Sequence, residues 1–158
     1  MMKLDKIVVL SMILLPLLFS TASWKIVPLN KENKPKYTES KTAGKLNIRI
    51  GEKSYQATLV NNKTTEVFQA MLPLTLDMTD YNSNEKKFDL SVNLPTQVED
   101  IGTIHEGDIL LWGNHTIVLF YKSFKTQYRY TKIGKLDDAQ GLASVLGKSD
   151  VKVRFEME

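Results

Sequence analysis

Five aromatic side chains, Phe120, Tyr121, Phe124, Tyr128 and Tyr130, fall within 11 residues and are interleaved with Lys122, Lys125 and Arg129. Successive side chains of a strand point to opposite faces, so Tyr128 and Tyr130 share one face and Arg129 takes the other. By the same rule Phe120 and Lys122 lie opposite Tyr121. An aromatic wall beside cations suits a peptide, an aromatic ring or an anionic small molecule, through stacking and cation–π contact. The same alternation also describes a core strand with its cations in solvent. A second constellation is Asn84-Glu85-Lys86, which follows the apolar alternation that ends at Met78. Placed in a loop at a rim, Glu85 accepts and Lys86 donates toward a ligand; an ordinary hydrated turn uses the same residue types. The candidate ligand-binding residues are therefore Phe120, Phe124, Tyr128, Arg129, Tyr130, Asn84 and Glu85, and the expected ligand is a peptide or a small molecule.

Reactive chemistry finds less support. The chain has no cysteine, which excludes thiol catalysis, thiolate metal sites and disulfide staples. No nucleophile elbow, Walker loop or dinucleotide-binding glycine pattern occurs. Thr103 and Ser123 have no evident base beside them. His105 and His115 are the two histidines and have no ligand spacing, whereas transition-metal sites want three or four convergent donors. Asp137 and Asp138 are adjacent, so they project in different directions and read as a helix N-cap. No cofactor and no metal is expected, and a non-catalytic binding module fits better than an enzyme.

The elements that position these residues follow from periodicity. Leu46, Ile48 and Ile50 alternate, a turn follows at 51–53, and Tyr55, Ala57 and Leu59 alternate again, which predicts a hairpin. Further strands are predicted around Leu74, Leu76 and Met78, at Phe88 and Leu90, and over 109–112, 116–121, 128–133 and 151–157. Gly113-Asn114 reads as a two-residue hairpin turn. Thr64 or Thr65 is the expected cap of a first helix that Pro73 stops, and Asp137 or Asp138 of a second that ends at Gly147. Seven or eight strands and two short helices in about 114 residues predict a mainly β domain, a closed barrel over 45–158 that leaves few exposed edges.

The first 23 residues read as a secretory signal peptide: a head with Lys3 and Lys6, an apolar run of 13 over 7–19, and small residues at 20–23. An uncleaved anchor is the alternative, although about 20 apolar residues are needed to span a bilayer comfortably. Export is therefore expected, to the periplasm or outside the cell. Residues 24–44 form a Lys-rich polar linker. Six lysines against two glutamates give residues 24–45 a charge of +4, suited to contact with an anionic membrane surface. Residues 46–158 hold 13 basic and 15 acidic side chains, a net of −2, which argues against a nucleic-acid partner.

An ordered set of segments resembles the small prokaryotic cyclophilin-like-fold family, whose cellular role is mostly undefined. The set comprises Met71-Leu72-Pro73-Leu74-Thr75-Leu76-Asp77-Met78, Asn84-Glu85-Lys86, Leu94-Pro95-Thr96, Gly102-Thr103-Ile104 and Gly107-Asp108. It continues through Val118-Leu119-Phe120-Tyr121-Lys122-Ser123-Phe124, Tyr128-Arg129-Tyr130-Thr131, Ile133-Gly134, Leu136-Asp137-Asp138 and Gly141-Leu142. The resemblance covers nearly all of 46–158 and implies a cyclophilin-type β-barrel of about eight strands. Ser83 departs from the family's glycine in its turn, and Trp112 from a tyrosine. The Phe-His-Arg segment of cyclophilin isomerases is absent. Arg49, Arg129 and Arg154 are the only arginines, and none has that context. A peptidyl-prolyl isomerase with a non-standard site, Arg129 acting as donor to the imide nitrogen, is the alternative to a binding module.

Overall fold

The computed structural model describes residues 43–158; the predicted leader and most of the basic linker lie outside the described residues. The alternating apolar residues at its start form the expected hairpin, β1 (Gly44–Ile50) and β2 (Lys53–Leu59). Leu46, Ile48, Ile50, Ala57 and Leu59 all point into one core. Helix α1 (Lys63–Ala70) follows and sends Phe68 into that core, edge-on to Phe155 at 6.0 Å. Its cap is Asn62, whose Oδ1 accepts from the Thr65 N–H at 2.8 Å. Thr64 and Thr65, the expected caps, are buried instead, and their hydroxyls donate to the carbonyls of Pro95 and Ile133.

The remaining elements are β3 (Leu74–Tyr81), β4 (Glu85–Asp89), β5 (Glu99–Asp100), β6 (Thr103–Ile104), β7 (Asp108–Trp112), β8 (Thr116–Phe120), β9 (Phe124–Lys125), β10 (Arg129–Leu136), α2 (Leu142–Leu146) and β11 (Val151–Met157). Antiparallel pairing runs β2-β1-β11-β3-β4-β8-β7-β10. β10 then returns to β2 through Gly134↔Leu59, Lys135↔Thr58 and Leu136↔Ala57, which closes an eight-stranded barrel. The mainly β closed barrel with two short helices is thus the observed fold. At the seam a side chain at 134 would place its Cβ 2.8 Å from the Thr58 carbonyl oxygen, so only glycine lets the two backbones approach.

Two local expectations change. The β7–β8 connection has three residues, because Trp112 pairs with Thr116, and Gly113 takes φ +60°. The second helix begins at Gly141 with no side-chain cap. Asp137 is occupied by Lys45 and Thr58, and Asp138 accepts from the Gln140 N–H at 2.9 Å.

The wall of the barrel is buried on both faces along β8. Ile117 and Leu119 point inward to the main core, while Val118 and Phe120 point outward to a second apolar cluster with Ile104, Leu110 and Tyr130. That outer cluster is covered by the small ribbon of β6 and β9. A strand with two apolar faces reads as a continuous run, which is the pattern of 116–120.

Candidate ligand-binding cleft

β3 turns into β4 through Asn82 and Ser83, both with positive φ (51° and 53°), and the Asn84 N–H closes the turn on the Tyr81 carbonyl at 3.3 Å. This turn sets Glu85 opposite Tyr81 on one side and Phe120 on the other. Strand alternation then sends Glu85 and Lys87 out of the barrel and Lys86 in. Across the same outer face, Lys87 pairs with Val118, Val118 with Leu110, and Trp112 with Thr116.

Phe124 on the ribbon lies 5.8 Å from the ring of Phe120, and Phe120 lies 5.8 Å edge-on to Tyr130. Between ribbon and wall is a cleft of about 220 Å³. Phe124, Tyr128, Tyr130, Trp112 and Tyr81 supply its aromatic lining; Asn84, Glu85 and Lys87 supply its polar groups. Tyr128 and Trp112 are large and exposed, at 69% and 52%.

Glu85 is 9% exposed. Among the described residues its carboxyl has no hydrogen-bond or ion-pair partner. Burial pushes it up to about 7, Asp80 adds to the rise, and Lys87 opposes it. Lys87 is itself engaged: its Nζ sits 5.5 Å above the centre of the Tyr81 ring and 3.9 Å from an Asp89 carboxylate oxygen. Burial, with the charge of Glu85, pushes the Tyr130 hydroxyl up to about 12. The Asn84 Oδ1 is buried with no hydrogen-bond partner among the described residues. Thr116 is buried and donates to Asp89 at 2.7 Å.

Lys86 goes the other way and is wholly buried. Its Nζ donates to Asp80 Oδ1 and to the Ser149 carbonyl, both at 2.8 Å, and lies 5.5 Å from the centre of the Tyr121 ring. The Tyr121 hydroxyl donates to the same Asp80 oxygen at 2.6 Å. The Lys86 ammonium and the Tyr121 hydroxyl hold the Asp80 carboxyl below its ordinary value, while burial and Asp80 push Tyr121 up to about 12.

A model of the cyclophilin-like family matches residues 48–156, more than half of the chain. The chain belongs to the cyclophilin-like family. Its fold is also that of a hypothetical protein from Archaeoglobus fulgidus known from a solution structure, with a TM-score of 0.55 and 22% identity over 77% of this chain and 99% of that one. At this identity the likeness speaks for the fold alone. No curated protein matches this chain.

In this cyclophilin-like barrel Asn84, Glu85, Phe124, Tyr128 and Tyr130 line a single cleft. Phe120 forms its backing and does not reach the lining. Arg129 does not join them: it is turned to Asp100, 3.0 Å from its Nε, and donates to the Val98 carbonyl. The isomerase reading needed Arg129 as a donor, and no arginine lines the cleft. Glu85 and Lys86 lie in a strand, not a loop, and they separate to opposite faces of the wall. The cleft accordingly sits on the outside of the barrel wall and not at its mouth. Sequence reasoning missed Trp112, Tyr81 and Lys87. Trp112 carried a usable signal, since it alternates out of phase with Ile109 and Leu111, the inward residues of β7.

Proposed function

We propose that this cyclophilin-like protein is a non-catalytic binding module whose outer cleft takes a small ligand or one side chain of a peptide. The observation that carries this reading is a ring-lined cleft with a nearly buried carboxyl that has no partner among the described residues. Ligand sites are concave and mostly apolar, with a few polar groups that orient the guest. A volume of about 220 Å³ falls below the ~300–1,000 Å³ of drug-sized sites, which suits a group no larger than an amino-acid side chain. Thr116, the short hydroxyl on the lining, is committed to Asp89. Fold membership by itself assigns no chemistry, so the site must carry the argument.

The test is a fragment screen by NMR on the full chain. Ligands that shift Tyr128 and Trp112 signals are expected, with affinity reduced at least tenfold in Tyr128→Ala and unchanged in Arg129→Ala. If no fragment perturbs the cleft signals, or Tyr128→Ala leaves every affinity as it was, the reading fails. Export belongs to the same proposal: residues 1–23 direct the chain out of the cytoplasm and the basic linker rests on anionic lipid. A mature N-terminus near residue 24 in material from outside the cytoplasm is expected, and full-length protein found only in the cytoplasm would overturn it.

A further inference from the structure

The cleft's polar groups are unequal. Glu85 presents acceptors and has no partner among the described residues, whereas Lys87 already rests on the Tyr81 ring and beside Asp89. An ionised carboxylate nearly out of water is unfavourable until a cation or donors reach it. Four of the side chains that line the same cleft, Phe124, Tyr128, Tyr130 and Trp112, are aromatic and carry no charge that opposes a cation. Ring faces attract cations, and alkylated ammonium groups fit best because they shed water at low cost. We propose that the outer cleft selects small ligands bearing an alkylated ammonium group, which pairs with the Glu85 carboxylate and is enclosed by the Phe124, Tyr128, Tyr130 and Trp112 rings. The inference rests on the cleft's being a ligand site and adds the charge of the guest.

The groups that face Glu85 are Tyr81 from β3, Lys87 from β4, Phe120 from β8 and Tyr130 from β10, while Asp80 acts on its charge from the inner face of the wall. Only Lys87 among them opposes an incoming cation. Without a guest the carboxyl holds a proton over part of the neutral range, and the ammonium group displaces it. Uptake therefore strengthens as pH rises through the Glu85 titration near 7.

The experiment titrates the full chain, followed by NMR, with choline, with its uncharged carbon isostere 3,3-dimethylbutan-1-ol, and with benzoate. Choline is expected to bind at pH 8.5 at least tenfold more tightly than the isostere. It should weaken about thirtyfold at pH 5.5, the ratio of ionised Glu85 at the two values for a group titrating near 7. Glu85→Gln should abolish both the preference and the pH dependence while keeping the amide spectrum of the native fold. Lys87→Ala should strengthen choline binding severalfold. Equal binding of choline and the isostere at both pH values would overturn the inference and leave the binding-module reading intact. Preferential binding of benzoate, lost in Lys87→Ala, would overturn it in favour of an anionic guest. Silence from all three probes while the fragment screen succeeds overturns it as well, and silence in both sinks the binding module too.

Discussion

At the scale of single residues, the carboxyl of Glu85 is held at a cost to stability. Its native value, about 7, lies above the ordinary 4.5, so the folded chain binds more protons than the unfolded one between these limits. Stability from this group is therefore full below about pH 4.5 and falls as pH rises toward 7. Glu85→Gln keeps the shape and removes the charge. It is expected to raise stability by about 2 to 3 kcal/mol at pH 8 and to change it little at pH 4. Urea unfolding at the two pH values checks this, and an equal effect at both would refute the assigned cause. Asp80 runs oppositely: its lowered carboxyl adds stability above its ordinary value of 3.8, lost as pH falls through the native value. Ser83 is a second residue under strain, at φ 53° where side chains are disfavoured. Ser83→Gly should stabilise by about 0.5 to 1 kcal/mol, read as a higher urea midpoint with an unchanged slope. The unusual residue was legible only through the family resemblance, in which glycine is expected where Ser83 stands. The burial of Glu85 was not, because nothing in Asn-Ser-Asn-Glu-Lys-Lys shows that β8 pairs against it through Phe120, 35 residues on.

At the scale of elements, β4 explains why the site was only half legible. Glu85-Lys86-Lys87 carries three charges in a row and reads as loop, yet pairing with β3 and β8 makes it strand. Tertiary pairing overrode composition, and it did so by giving Lys86 a complete set of partners inside the barrel. Lys86→Met leaves Asp80 with the Tyr121 hydroxyl and the Ser83 N–H but no positive charge, and should cost about 3 kcal/mol, as expected when one member of a buried ion pair is removed. The double variant with Asp80→Asn should recover part of the loss, because the uncompensated charge is gone; a double variant as unstable as the single would show the pair is not what matters. By contrast, β8 was legible as a continuous run of aliphatic, β-branched and aromatic residues, and alternation at the start of β10 correctly separated Tyr128 and Tyr130 from Arg129. The error lay in placing all three in one site despite that separation. The β6–β9 ribbon, two residues a side, is too short to show any period.

At the scale of the molecule, the closed barrel could be anticipated from strand number and from the ordered family segments, but its strand order could not. β1 pairs with β11 more than 100 residues away, and no local pattern encodes such a partner. Closure itself depends on a short seam of three residue pairs between β10 and β2, which holds the strand that carries Tyr130. Gly134 stands in that seam because the Thr58 carbonyl leaves no room for a Cβ. Backbone cannot yield as a flexible side chain does, so Gly134→Ala must push β10 and β2 apart or bend one of them. A loss of about 1 to 3 kcal/mol is expected, the range of overpacking substitutions. The loss should be uneven: amide exchange should quicken first at Val60 and Asp137, whose N–H groups donate across the seam to the Ile133 and Gln56 carbonyls, while the β3-β4 and β4-β8 amides stay protected. The cleft wall on β4, β8 and β7 does not cross the seam, so ligand shifts at Trp112 should persist in Gly134→Ala and those at Tyr130 should move. Uniform quickening across all strands would instead mean that the barrel opens as one unit and that the seam is no weaker than the rest of the wall.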